Sequence, residues 1–211
     1  RPMRRDGANW EGFLADMEQA LPKGTEEVVL YGHGIGGSLL MELAAREFTF
    51  PNGRKLRPQK VILHSVIGTS LHKRFFPKLM KPLWVRNSIK SLITASWMQG
   101  IWEKRLFQHP DQIPQSLRNQ FFADYAQCEA FSVFFDLITV DWYRRTRDVI
   151  SQYPFLFLWG GKERVVSAKY LELWRKDFPQ AHFDVIQDWD HFPMLDNPED
   201  FTRKFVNLLP A

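Results

Sequence analysis

The chain has 211 residues, 45% of them hydrophobic, with 18 Phe, 8 Trp and a formal net charge of +4. That length supports one full core with room for an inserted subdomain, and so mild a charge gives no footing for a nucleic-acid partner. A single cysteine, Cys128, excludes an internal disulfide and fits a reducing, cytoplasmic setting; no apolar run approaches the roughly 20 residues that span a bilayer, and no signal-peptide pattern is read.

Residues 1–8 are polar and basic and read as a frayed start. Trp10, Phe13, Leu14, Met17 and Leu21 recur at three- and four-residue steps, an amphipathic helix stopped by Pro22 and Gly24. Residues 28–31 (VVLY) form a short apolar, β-rich run, the mark of a buried parallel strand. Gly32-His33-Gly34-Ile35-Gly36-Gly37 follows at once, and Leu39, Leu40, Leu43 and Ala44 then recur at helical spacing over 38–48. A polar loop at 51–53 leads to a second apolar strand at 60–64. Strand, glycine turn, helix and strand make a βαβ unit and imply a parallel sheet.

From about 70 the pattern changes. Residues 70–150 are helical in pattern and heavy in aromatics, Phe75, Phe76, Trp84, Trp97, Trp102 and Phe107 among them, punctuated by Pro110 and Pro114. They read as an all-helical insertion between an α/β first part, 1–69, and an α/β second part, 151–211. The second part carries a strand at 155–159, a helix at 170–178, a strand at 182–186 and a closing helix at 201–209. From Lys73 to Arg105, Lys and Arg outnumber the single acid Glu103. The plain reading is a solvated basic face; the sharper one is contact with an anionic membrane surface.

Two frames fit the glycine turn. Gly32, Gly34 and Gly37 match the G-x-G-x-x-G of dinucleotide sites, but such a site needs a carboxylate at the end of the next strand, where His64 and Ser65 stand instead. Dinucleotide binding is therefore the weaker alternative. Gly32, Gly34 and Gly36 match the frame of G-x-S-x-G, with glycine where the serine belongs. Downstream, Trp159-Gly160-Gly161-Lys162-Glu163-Arg164-Val165-Val166 resembles the acid loop of the α/β-hydrolase family, and Asp190-His191-Phe192-Pro193 resembles its histidine loop. Over about three quarters of its length the chain resembles the lid-bearing esterase, lipase and epoxide-hydrolase-like branch. The resemblance implies a parallel-sheet α/β-hydrolase fold with residues 70–150 as the lid. It implies Glu163 as orienting acid, His191 as general base, Gly34 at the nucleophile position without a side chain, and the Ile35 N–H as oxyanion donor. It implies no cofactor and no metal.

The turn survives glycine, which tolerates strained backbone, but an acyl-enzyme cannot form on it. Ser38, one turn further into the helix, is no substitute. His33 reads as a filler of the turn; with Ser65, Trp97 and Phe192 it is placed on the wall of the substrate pocket. Asp190 reads as a loop or capping residue and Cys128 as a small buried hydrophobe. The family's first strands and second oxyanion loop are not found before the helix near residue 8. With Arg1 at the start, this leads to the expectation of a C-terminal part of a longer protein, or of pairing with the missing segment. Three functions are compatible with these residues: a catalytically impaired esterase-like protein binding a hydrophobic molecule under the lid, a hydrolase using His191 and Glu163 to activate water, or a protein-interaction module.

Overall fold

The computed structural model describes residues 8–69, 71 and 79–210. The readings that fall on Phe75, Phe76 and the first residues of the basic segment, and on residues 1–7, lie outside it. Helix α1 (Trp10–Ala20) starts at Asn9, whose side chain accepts the Gly12 N–H at 2.8 Å and so satisfies one free donor of the first turn. It buries Trp10, Phe13 and Leu14. Strand β1 (Glu27–His33) runs into the glycine turn, and α2 (Ile35–Ala45) begins directly after Gly34, three residues earlier than the apolar spacing places it. Spacing could not find that start, because the first turn is glycine. Strand β2 is Arg57–His64, β3 is Leu156–Gly160 and β4 is His182–Ile186.

The four strands form one sheet in the order β1-β2-β3-β4, parallel throughout. Register, more than order, positions the strand ends. His33 lies level with His64, His64 with Leu158, and Gly160 with Ile186. All four strands therefore end along one edge of the sheet, and the loops after them meet there. Both faces are covered, as a parallel sheet requires. Leu63, Phe157 and Trp159 join the larger core with Leu40, Leu43 and Trp174, while the alternate residues Ile62, Leu156 and Leu158 pack with Trp189 beneath Tyr31, Phe201 and Phe205.

Between β2 and β3, where the sequence reads as a helical insertion, the described residues form α3 (Leu83–Thr94), α4 (Ser96–Leu106), α5 (Gln115–Gln127), a 3-10 turn (Glu129–Ser132), α6 (Phe134–Leu137) and α7 (Val140–Ile150). Arg86 ties it together: its buried guanidinium donates to the carbonyls of Met80, Lys81 and Ser132 and grips both oxygens of Asp136. The last of these helices belongs physically to the sheet layer. Trp142 stacks on Trp10 with ring centroids 5.2 Å apart and donates its indole N–H to the buried Glu42 of α2 at 2.8 Å. Cys128 is half-buried rather than buried, since it ends α5. The chain closes with α8 (Leu171–Asp177), α9 (Pro193–Asp196) and α10 (Pro198–Val206). No helix among the described residues is long and apolar enough to cross a membrane.

The glycines of the turn are not equivalent. A Cβ on Gly32 would lie 2.6 Å from the Gly36 carbonyl oxygen and 2.8 Å from the Gly37 Cα, both backbone, whereas a Cβ on Gly36 meets nothing within 4 Å. Gly32→Ala should therefore destabilise the fold by about 1–3 kcal/mol through overpacking. Gly36→Ala, inside α2, should stabilise it by up to about 1 kcal/mol through helix propensity. Urea unfolding midpoints of the two variants test the contrast.

Candidate active site

The turn after β1 holds Gly34 at φ 54, ψ −117, a conformation that L side chains rarely adopt. Its N–H donates to the His64 carbonyl at 2.9 Å, and its carbonyl accepts the Gly37 N–H at 3.1 Å. The bend is thus fixed from β2 on one side and from α2 on the other. Nothing lies within 4 Å of where a Gly34 Cβ would be, so the space over the bend is open. Ile35 and Gly36 open α2, and their N–H groups are among those no helical turn satisfies. Ser38 is fully buried and points away, donating to the Ile67 carbonyl at 3.3 Å.

Two other loops converge on this bend. After β3 the chain turns at Gly160 and Gly161. A Cβ on Gly160 would come within 2.3 Å of the Trp189 carbonyl oxygen, so the acid loop and the histidine loop touch through backbone. The Lys162 N–H accordingly donates to the Trp189 carbonyl at 2.9 Å. Glu163 is buried, and its carboxylate accepts four hydrogen bonds. Oε1 takes the N–H groups of Val165 and Val166 at 2.7 and 2.9 Å; Oε2 takes the Ser65 hydroxyl at 2.6 Å and His191 Nδ1 at 2.8 Å. Burial alone would raise the Glu163 pKa, but the bond and charge interaction with His191 and the bonds from Ser65 and Val166 outweigh it and hold it below the ordinary glutamate value. An ionised carboxylate only accepts, so Nδ1 of His191 carries the proton and Nε2 is left as the basic nitrogen.

His33, beside the bend, packs its ring 4.6 Å from that of His191 and 5.2 Å from that of Phe192. It also meets His64 at 4.9 Å, and His64 Nδ1 shares a 2.7 Å hydrogen bond with the Tyr31 hydroxyl. Burial and the neighbouring His191 push the His33 pKa down to about 3, against a hydrogen bond to the His191 backbone that acts the other way. Burial, with His33 and His191 alongside, carries His64 well below the usual histidine value. The Nε2 atoms of His33 and His64 are buried without a hydrogen-bond partner. Phe192 roofs this group, its ring 4.5 Å from His191, 5.2 Å from Phe121 and 5.8 Å from Phe107. Among the described residues no set of three or more His, Cys, Asp and Glu side chains is placed to hold a metal ion.

Gly34, Ile35, Glu163, His191, His33 and Phe192, singled out from the sequence, thus come together at one sheet edge. Two candidates for the pocket wall do not lie there as expected. Ser65 is fully buried behind Glu163 and commits its hydroxyl to that carboxylate, so it offers no surface to a substrate. It stands at φ 46, and the level ends of β2 and β3 carry it to the acid. Trp97 is 73% exposed on α4, which buries none of its residues. A cavity of about 230 Å³ lies beside Asp190 and Asp196 and one of about 370 Å³ beside Tyr143 and Asp177, and neither is lined by Gly34 or His191.

A parallel sheet whose strand ends gather a glycine bend, a buried acid and a histidine defines the α/β-hydrolase class. The chain belongs to this family: the model of the alpha/beta hydrolase family matches residues 4–204. It is 27% identical over 108 residues to Lipase 1 of Psychrobacter immobilis, covering 48% of this chain and 34% of that one. It is 28% identical over 99 residues to Lipase 3 of Moraxella sp. (strain TA144), covering 46% and 31%. These matches thus span about a third of each lipase. In fold it resembles a bromoperoxidase from Bacillus anthracis, with a TM-score of 0.65, 18% identity and coverage of 95% of this chain and 74% of that one. It likewise resembles an epoxide hydrolase variant from Bacillus megaterium, with a TM-score of 0.68, 14% identity and coverage of 98% and 78%.

The two neutral histidines predict a pH dependence. On unfolding each regains an ordinary pKa near 6.5 and binds a proton that the folded state refuses. Stability should therefore fall as pH drops below about 6.5, by up to about 1.4 kcal/mol per pH unit for each histidine, levelling only near the folded values. Urea unfolding between pH 7 and 5 should show this slope, and His33→Gln should remove about one proton from it.

Proposed function

We propose that this chain is an ester-hydrolase-type protein that keeps the base and acid of a serine mechanism and lacks the nucleophile. In that mechanism a serine attacks the ester carbonyl, a histidine takes its proton, and a buried carboxylate holds the histidine in the right tautomer. His191 and Glu163 have the contacts for the second and third tasks. The observation that carries the reading is Gly34. It occupies the bend in the strained conformation with open space above it, and it has no oxygen to attack with. The lipases among the relatives support an ester as the ligand class. The rings of Phe107, Phe121 and Phe192 support an apolar acyl group held beneath the helical insertion, which acts as a lid. The Ile35 N–H is the donor for a developing oxyanion. The intact His191–Glu163 pair favours a second reading, direct activation of water by His191 Nε2.

Turnover of p-nitrophenyl butyrate separates the two. Loss of the nucleophile costs on the order of 10⁶ in kcat in enzymes of this mechanism. The unsubstituted chain should sit at background, and Gly34→Ser should raise kcat/KM at least about 100-fold, a small part of that factor. His191→Ala in the Gly34→Ser background should abolish the gain. His191-dependent turnover by the unsubstituted chain, with no gain in Gly34→Ser, would overturn the first reading in favour of water activation. The same Gly34→Ser variant should be less stable by about 1–3 kcal/mol, since serine is strained at a φ that glycine adopts freely.

A further inference from the structure

Arg164, next to Glu163, has no part in the serine mechanism, yet it is bonded on two sides. The Arg164 N–H donates to Oδ1 of Asp190 at 3.1 Å, and its Nε to Oδ2 at 2.5 Å. Asp190 is 1% exposed, and the same Oδ1 accepts the His191 N–H at 2.8 Å. The two outer nitrogens of Arg164 also reach the insertion, although Nη2 pairs with Asp190 Oδ2 as well. Nη1 donates to the Lys104 carbonyl at 2.8 Å and Nη2 to the Phe107 carbonyl at 2.9 Å. Both lie at the C-terminal end of α4, where carbonyls have no partner within the helix and a cation is favoured. A second tie joins the same stretch from the histidine side: Asp196, in the helix after His191, accepts the His109 N–H at 3.1 Å. One short segment, 104–109, is thus held by both loops that carry the acid and the histidine.

We propose that Arg164 is a positioning residue that makes the alignment of His191 with Glu163 depend on the seating of the insertion. The chain of cause is short. With α4 seated, the guanidinium has acceptors on both sides and cannot turn. When the end of α4 lifts, two acceptors are lost and only the pair with Asp190 still holds the partly exposed guanidinium, which water can then draw away. Asp190 is then a buried carboxylate stripped of its countercharge, a costly state that it relieves by following Arg164 or taking in water. Either move loosens its hold on the His191 N–H. The inference concerns geometry and holds whether or not the chain turns over a substrate.

The test is made on the full chain, without ligand. The readout is the far-downfield NMR signal of the His191 Nδ1 proton, identified by its loss in His191→Ala, together with amide exchange over 104–109. Arg164→Ala, checked for folding by circular dichroism, should speed exchange of the His191 Nδ1 proton about tenfold or more, as loss of charge-assisted bonds makes local opening easier. A second variant approaches from the far side. Arg118 pairs with Glu103 of α4 at 2.8 Å and otherwise bonds to Gln115 of its own helix, so Arg118→Ala loosens α4 without touching the histidine loop directly. It too should speed exchange of the His191 Nδ1 proton, and the effects of the two substitutions should not add. A His191 signal unmoved by Arg118→Ala while the amides of 104–109 open would overturn the proposal, as would an unmoved signal in folded Arg164→Ala.

Discussion

The site depends on how one buried carboxylate is satisfied. Glu163 sits where solvent cannot reach it and is held ionised by four donors from three places in the chain: two N–H groups of its own loop, a hydroxyl from the end of β2 and an imidazole from the loop after β4. Removing any donor leaves a lone pair unmatched in a low-dielectric setting, where the penalty is largest. That constraint fixes the rotamer of Glu163, the proton on His191 Nδ1 and the approach of the two loops at once. The close backbone contact at Gly160 belongs to the same constraint, since no side chain could fit between loops drawn so near.

The bend at Gly34 is built to a different logic. It is anchored by backbone alone, through the His64 carbonyl and the start of α2, and by the closeness that Gly32 permits between strand and helix. None of these supports uses the side chain at position 34. The bend's anchors therefore rest on backbone, at a φ that glycine meets without strain, while the acid and histidine keep their places through Ser65 and the loop N–H groups. In the proposed reading, structure and nucleophile are separable, so a glycine can stand at the bend without disordering the partners around it.

The fold was legible because its signals are local. Apolar β-rich runs, a glycine turn and helical spacing place all four strands to within a few residues, and two late loops point to an acid and a histidine near Glu163 and His191. What stayed hidden is set by register and by the direction of side chains. Ser65 reads as part of a pocket wall because nothing in its own neighbourhood says that β2 and β3 end level. Trp97 looks like pocket material because it is large and apolar, yet its position on α4 faces water, and spacing within one helix does not reveal which face the partner takes. The start of α2 is missed for a related reason: glycines carry no periodicity.

The acid and histidine loops share a further pattern. Each contributes two consecutive residues whose side chains take different partners. Glu163 turns to the His191 ring and Arg164 to the insertion; His191 turns to Glu163 and Asp190 to Arg164. The pairs Glu163–His191 and Arg164–Asp190 are thus stacked in sequence, one inward and one toward α4, and they share backbone. A shift in either pair must pass through a peptide bond into the other, because adjacent residues cannot move independently by more than their two soft dihedrals allow. The neutral histidines stiffen the inner side of the same assembly: His33 and His64 cannot take a proton without breaking a packed cluster that touches His191. The site is therefore a joint property of two loops, the strand ends beneath them and the helix end above, and its geometry is held without any side chain at Gly34.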